Sequence, residues 1–204
     1  CDTKKLLART SSTPGFTKTM NLYGIAPDPG VRVSSSSLHH SGDRALEKIV
    51  GARGLVIVDM PGYGAGSLAQ WGAEIMKYLR GRKALRRVFV LLDAEHGVKD
   101  KDRDILAALR LAGVSHQVVL SKMDKLYIPK ADEISYVGKG TKVKSKGSVD
   151  AFRARMRDLL PDIKPAVGGG AALGEILACS NKVTVDGKRL GVEHVRFAVL
   201  KAVG

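Results

Sequence analysis

Apolar residues along this chain gather in short continuous runs, separated by stretches with a helical period. Leu55–Asp59 (Leu-Val-Ile-Val-Asp) is one such run, stopped by Pro61-Gly62. It has the pattern of a strand buried on both faces, as in a parallel sheet. Val88–Asp93 and residues 117–120 repeat that pattern. Residues 175–179 predict a last strand, and looser alternation over 19–26 predicts a first one. Residues 68–79 read as a helix, and 99–111 as an amphipathic helix with Ile105, Leu106 and Leu109 on one side and Gly113 closing it. Residues 149–160 and Val192–Val203 read as two further helices. Residues 27–41, rich in Pro, Gly and Ser, predict a loop, followed by a short helical piece at 43–50; residues 139–146 read as a basic loop. After residue 50, strand and helix alternate at least three times. That predicts an α/β fold with an open, mostly parallel sheet and helices on both faces. Right-handed crossovers then bring the C-terminal ends of the strands to one edge, where ligands bind in such folds.

Composition adds limits. The 204 residues are 44% hydrophobic and 26% charged, enough for a packed core and unlike a disordered or fibrous chain. The length fits a single domain over 1–204. No apolar run approaches the ~20 residues of a membrane-spanning helix. Lys and Arg number 34 against 20 Asp and Glu, a net charge of +14, which favours a polyanionic partner such as nucleic acid. Two cysteines, Cys1 and Cys179, exclude a disulfide framework and a multi-cysteine zinc site, and make a reducing compartment the default. The chain opens on Cys1 rather than Met, so its natural beginning is expected to lie upstream.

The chemistry-bearing residues follow the strands. Asp59-Met60-Pro61-Gly62 follows the first buried strand. An Asp at a strand tip can hold a hydrated magnesium ion beside a phosphate, and a Gly three residues on lets its backbone N–H approach that phosphate. Ser121-Lys122-Met123-Asp124 follows the third buried strand. A carboxylate there can accept paired hydrogen bonds from the N1–H and exocyclic amine of guanine, a pair adenine does not offer. Thr13-Pro14-Gly15-Phe16-Thr17 precedes the first strand, and the Thr17 hydroxyl is placed to reach magnesium and a terminal phosphate. Each motif alone is as readily an ordinary turn; their order and spacing carry the argument.

That ordered set resembles a Ras-like GTP-binding domain. Leu7-Ala8-Arg9-Thr10-Ser11, Thr13-Pro14-Gly15, Thr17, Asn21-Leu22 and Asp59-Met60-Pro61-Gly62-Tyr63-Gly64 resemble the EngB-type (YihA/YsxC) ribosome-assembly GTPases. So do Trp71, Leu91-Leu92-Asp93-Ala94, His96-Gly97, Lys99-Asp100 and Ser121-Lys122-Met123-Asp124 with Lys125-Leu126. The resemblance implies an α/β Ras-like three-layer sandwich with insertions near 27–50 and 127–148. It implies GTP or GDP as ligand with Mg2+ as cofactor. Gly15, Phe16, Thr17, Lys18 and Thr19 would form the first switch, and Asp59, Met60, Pro61 and Gly62 the second, with Thr17 and Asp59 on the metal. Ser121, Lys122, Met123 and Asp124 would read guanine, and backbone N–H groups of Cys179, Ser180 and Asn181 would meet its O6. The implied partner is the large ribosomal subunit or its rRNA, and the implied state is a monomer. The added segments point to a mitochondrial member, the alternative being cytoplasmic.

Two departures shape further expectations. These 204 residues contain no G-x-x-x-x-G-K-[ST] phosphate loop. The fold as read lacks its first strand, its P-loop and most of its first helix, which leaves the strands at Leu55 and Val88 without a shared neighbour. This chain by itself is then expected to be poorly stable and to bind GTP weakly. Tyr63 stands where many GTPases carry a water-orienting Gln, which implies slow intrinsic hydrolysis completed by a ribosomal partner. For RNA contact the candidates are Arg80, Arg82, Lys83, Arg86 and Arg87, and Lys139, Lys142, Lys144 and Lys146. The alternative function is a nucleotide-free, basic RNA-binding scaffold that keeps the fold.

Overall fold

A computed structural model describes residues 20–25, 32–34, 48–50, 54–60, 69–167 and 170–204. The chain packs as two units, Cys1–Gly72 and Ala73–Gly204.

In the first unit, β1 (Asn21–Ile25) pairs antiparallel with β4 (Leu55–Asp59), from Asn21 opposite Asp59 to Ile25 opposite Leu55. Inside the connection, β2 (Arg32–Ser34) pairs antiparallel with β3 (Lys48–Val50). Two expectations are corrected here. Residues 48–50 of the expected helical piece are strand, and so are 32–34 of the expected loop: Val33 faces Ile49, and β-branched residues suit the pleated ladder better than a helix. β4 is not buried on both faces as a parallel strand. Its one ladder among the described residues is antiparallel, and Ile57 is 43% exposed.

The second unit carries the parallel sheet. Its elements are β5 (Val88–Asp93), α2 (Asp100–Leu111), β6 (His116–Ser121), β7 (Ile134–Tyr136), α3 (Val149–Ile163), β8 (Leu177–Ala178), β9 (Val183–Val185), β10 (Lys188–Arg189) and α4 (Val192–Val203). Helix α1 (Ala69–Gly81) leads into it. The order β5-β6-β8 is parallel throughout, with Val90 opposite Val118 and Val119 opposite Leu177. Five of the six residues of β6 are buried. The core of the unit also takes in Leu92, Leu106, Leu109 and Ile163, all at 2% exposure or less. Each such side chain stabilises the fold by about 1.5–3 kcal/mol relative to exposure. On its outer side β5 has no ladder among the described residues, and Leu91 on it is 64% exposed.

Local caps mark two of the helix ends. Ser148 caps α3, its Oγ accepting from Ala151 N–H at 3.1 Å. Gly113, with φ +64°, closes α2, and its N–H donates to Arg110 O at 3.0 Å. α3 runs past the expected stop at Leu160 and through Pro161, because fully buried Ile163 anchors the last turn.

The expected last strand proves to be followed by two more. β10-β9-β7 is a separate antiparallel sheet, built from the segment after β6 and the segment after β8. Asp186 (φ +49°) and Gly187 (φ +74°) make the two-residue turn between β9 and β10, the left-handed pair a tight hairpin needs. The basic loop joins this small sheet where Lys142 bridges to Ser135, and Lys146 bridges separately to Ile128. Among the described residues no helix is long and apolar enough to cross a membrane.

Candidate functional site

Two loops leave the C-terminal ends of the neighbouring parallel strands β6 and β8. The first is Ser121-Lys122-Met123-Asp124 and the second Cys179-Ser180-Asn181. Backbone bonds stitch them together: Cys179 N–H donates to Leu120 O at 2.8 Å, and Met123 N–H to Cys179 O at 3.1 Å. Lys122 sits in the left-handed region at φ +58°, which non-glycine residues rarely occupy outside turns and functional sites. That kink starts a single 3-10 turn over Met123–Lys125 and tucks Met123 inward at 6% exposure.

Asp124 is the informative residue. It is half-buried, and its Oδ1 is shut from solvent with no hydrogen-bond partner among the described residues. A sequestered carboxylate oxygen without a donor costs free energy unless something supplies one.

Lys122 extends the other way. Its Nζ donates to Asp93 Oδ2 at 2.7 Å, and Asp93 Oδ1 accepts from Glu95 N–H at 2.9 Å. Burial by itself pushes the Asp93 carboxyl up. The Lys122 ammonium and the Glu95 and His96 backbone N–H groups outweigh it and hold the carboxyl below its usual range. The hydrogen bond to Asp93 raises Lys122 in turn. Asp93 reads from sequence as a strand terminator, yet it positions the loop lysine. Only the register reveals this, since Asp93 lies opposite Ser121. Asp93, Glu95 and His96 bring ligand atoms within 4.8 Å of one another, but Lys122 already occupies the Asp93 carboxylate.

Other expected site residues take different roles. Ser121 turns its hydroxyl back to Leu92 O at 2.9 Å and braces β6 on β5. The idea that Cys179 and Ser180 offer free N–H groups to a base is corrected. The Cys179 N–H is on Leu120 O, and the Ser180 N–H is on Leu190 O at 2.8 Å. Ser180 Oγ accepts from Lys182 N–H at 3.1 Å. Among the described residues, the N–H left unengaged in that loop is that of exposed Asn181. Asp59 ends β4 of the first unit, exposed, with Met60 half-buried after it. Gly15, Phe16, Thr17, Lys18, Thr19, Pro61, Gly62 and Tyr63 lie outside the described residues.

Of the first basic group, Arg87 is corrected from RNA contact to structural brace. Its guanidinium is half-buried and donates to Gln117 Oε1 at 2.9 Å, because Gln117 sits fully buried on β6 opposite Phe89. Arg82 donates to the Tyr78 hydroxyl at 2.9 Å and lies over that ring. Arg80, Lys83 and Arg86 are exposed, as are Lys139, Lys142, Lys144 and Lys146.

An α/β unit in which base-facing loops follow successive parallel strands is the arrangement of a Ras-like G domain. No protein-family model matches the chain. The probable GTP-binding protein EngB of Bartonella quintana is 33% identical over 208 residues, taking in 98% of this chain and 74% of the relative. That of Bartonella tribocorum is 34% identical over 205 residues, with the same coverage of 98% and 74%. That of Rhodospirillum rubrum is 42% identical over 139 residues, 66% of this chain. The chain spans 50% of that relative's length. This chain belongs to the EngB family.

Proposed function

We propose that this protein binds guanine nucleotide with Mg2+, hydrolyses GTP, and acts as a switch in assembly of the large ribosomal subunit. The observation that carries the reading is the sequestered, donor-less Oδ1 of Asp124 beside the β8 loop. Kinship supports it, since the related proteins are described as probable GTP-binding proteins. On this reading Asp124 accepts the N1–H and amine of guanine, and the Asn181 N–H faces O6. The Lys122 stem lies along the base while Asp93 holds its ammonium.

Asp59 supplies a hard oxygen donor, exposed and without a side-chain partner among the described residues, which is the chemistry a hydrated magnesium ion takes. Thr17 is the proposed second ligand. Magnesium would neutralise phosphate charge there. Tyr63 in place of a water-orienting Gln makes intrinsic turnover slow, with acceleration by a ribosomal particle. A mitochondrial location is part of the proposal, supported by the segments added near 27–50 and 127–148.

The test is binding of fluorescent GDP to the full-length protein with and without magnesium, competed by ADP and by xanthosine diphosphate. The native protein is expected to prefer guanine over adenine by at least about 100-fold, in line with the loss expected when a buried polar site is left unpaired. Asp124→Asn should move the preference to xanthine, whose 2-oxo group accepts where guanine donates. Equal affinity for ADP and GDP defeats the reading.

A further inference from the structure

The small sheet β10-β9-β7 gathers charge from parts of the chain that are distant in sequence. Residues 130–146 and 182–189 hold eight Lys or Arg against three carboxylates. Lys139, Lys142, Lys144, Lys146, Lys182, Lys188 and Arg189 are all exposed, and among the described residues none takes an ion pair. Cations elsewhere in the unit do: Arg103 is on Asp162, Lys122 on Asp93, and Arg196 on Glu193.

The register orders part of this charge. Lys142 bridges Ser135, Ser135 pairs Thr184, and Thr184 pairs Arg189. Directly opposed residues share a face, so these four form one row across the sheet. The Ser135 and Thr184 hydroxyls are 2.8 Å apart at its centre. Three inter-strand steps make the row about 14 Å long. At one end of the sheet, two residues along from Ser135 and Thr184, Asp186 N–H donates to Glu133 O at 2.9 Å and Asp186 Oδ1 accepts from Glu133 N–H at 3.5 Å.

We propose that this row is a docking face for the phosphate backbone of folded RNA, with Lys142 and Arg189 on phosphates and the Ser135–Thr184 hydroxyl pair, bonded to itself and to the Ser135 carbonyl, fixing the spacing between them. Phosphate oxygens accept from ammonium and guanidinium groups, and the row spans more than one phosphate. An anionic membrane surface is the poorer fit, because such surfaces hold basic faces through apolar anchors and the row contains none. The inference deepens the ribosomal reading and rests on it for the source of the RNA. It adds Arg189, which that reading alone does not select.

The experiment measures fluorescence anisotropy of a labelled, folded large-subunit rRNA fragment with the full chain across a salt series. Lys142→Glu/Arg189→Glu is compared with Arg157→Glu/Lys201→Glu, the same charge change on α3 and α4. Thermal melts and fluorescent GDP binding check that each variant is intact. The row variant is expected to bind RNA at least about 10-fold more weakly, while the α3/α4 variant changes little. The slope of log K against log salt should fall by about one for each phosphate that is no longer neutralised. Lys142→Gln/Arg189→Gln replaces the reversal if that variant melts early. Native binding undiminished by the row variant, or weakened equally in the α3/α4 variant, overturns the inference alone. A native chain that ignores RNA defeats the ribosomal reading with it. Row-dependent binding to phosphatidylserine vesicles in place of RNA also overturns it.

Discussion

β4 and β6 look alike in sequence and live differently in the fold. Leu-Val-Ile-Val-Asp and His-Gln-Val-Val-Leu-Ser are both short, apolar and β-branched. β6 lies between two parallel partners and is buried over five residues, with even its His and Gln at 0% exposure. β4 has one antiparallel partner among the described residues and leaves Ile57 open. An apolar run therefore states a capacity for burial. How many ladders and how much covering a strand receives decide whether that capacity is used.

The largest test of this contrast is truncation at matched positions. Leu120→Ala in β6 should cost about 2–5 kcal/mol, because a fully buried leucine leaves a cavity. Ile57→Ala in β4 should cost well under half as much, within the range of surface changes of about 0.5 kcal/mol to roughly 1. Urea midpoints of the full chain measure both, and equal losses would break the comparison.

A second test probes what holds β8 beside β6. Gly191 has φ +72°, and a Cβ there would strike Ala178 O on β8. Gly191→Ala should destabilise by about 1–3 kcal/mol. It should also weaken GDP binding, since Ser180 N–H and Leu190 O lock the adjoining loop. A variant with native stability would show that the loop tolerates another path.

The smallest effect concerns the buried polar start of β6. His116 donates from Nδ1 to Val114 O at 2.8 Å, and its Nε2 is shut from solvent without a partner among the described residues. Burial lowers its pKa from 6.5; the Val114 carbonyl opposes that, and Arg110 adds to it. The unfolded chain then binds the proton more readily than the folded one. Stability is complete above about pH 6.5 and falls as pH drops through that value toward the folded pKa. Urea midpoints between pH 8 and 5 should show the decline, and His116→Phe should flatten it. An unchanged slope would place the effect in another group.

The site divides along the same line. The Ser-Lys-x-Asp segment, the strand it follows and its place at that strand's C-terminal end were legible, because they depend on residue type and short spacing. Asp186-Gly187 between Val-Thr-Val and Lys-Arg-Leu was also legible as a hairpin, and taking 175–179 as the last strand passes over it. The Lys122–Asp93 pair was not legible, since those residues are 29 apart and meet only through the β5–β6 register. Nor was the narrowing of free loop N–H groups to Asn181, which depends on where Leu190 returns.

The sequence alone determined that this is an α/β chain with parallel strands, helices close to their observed bounds, and an acid at position 124 in the loop after a buried strand. Periodicity, capping residues and side-chain chemistry are local, so a linear reading reaches them. Only the tertiary structure decided which apolar strand is buried, which arginine is a brace and which cations line up in one row. Those properties belong to pairs of residues distant along the chain, and only the register of folded strands brings such pairs together.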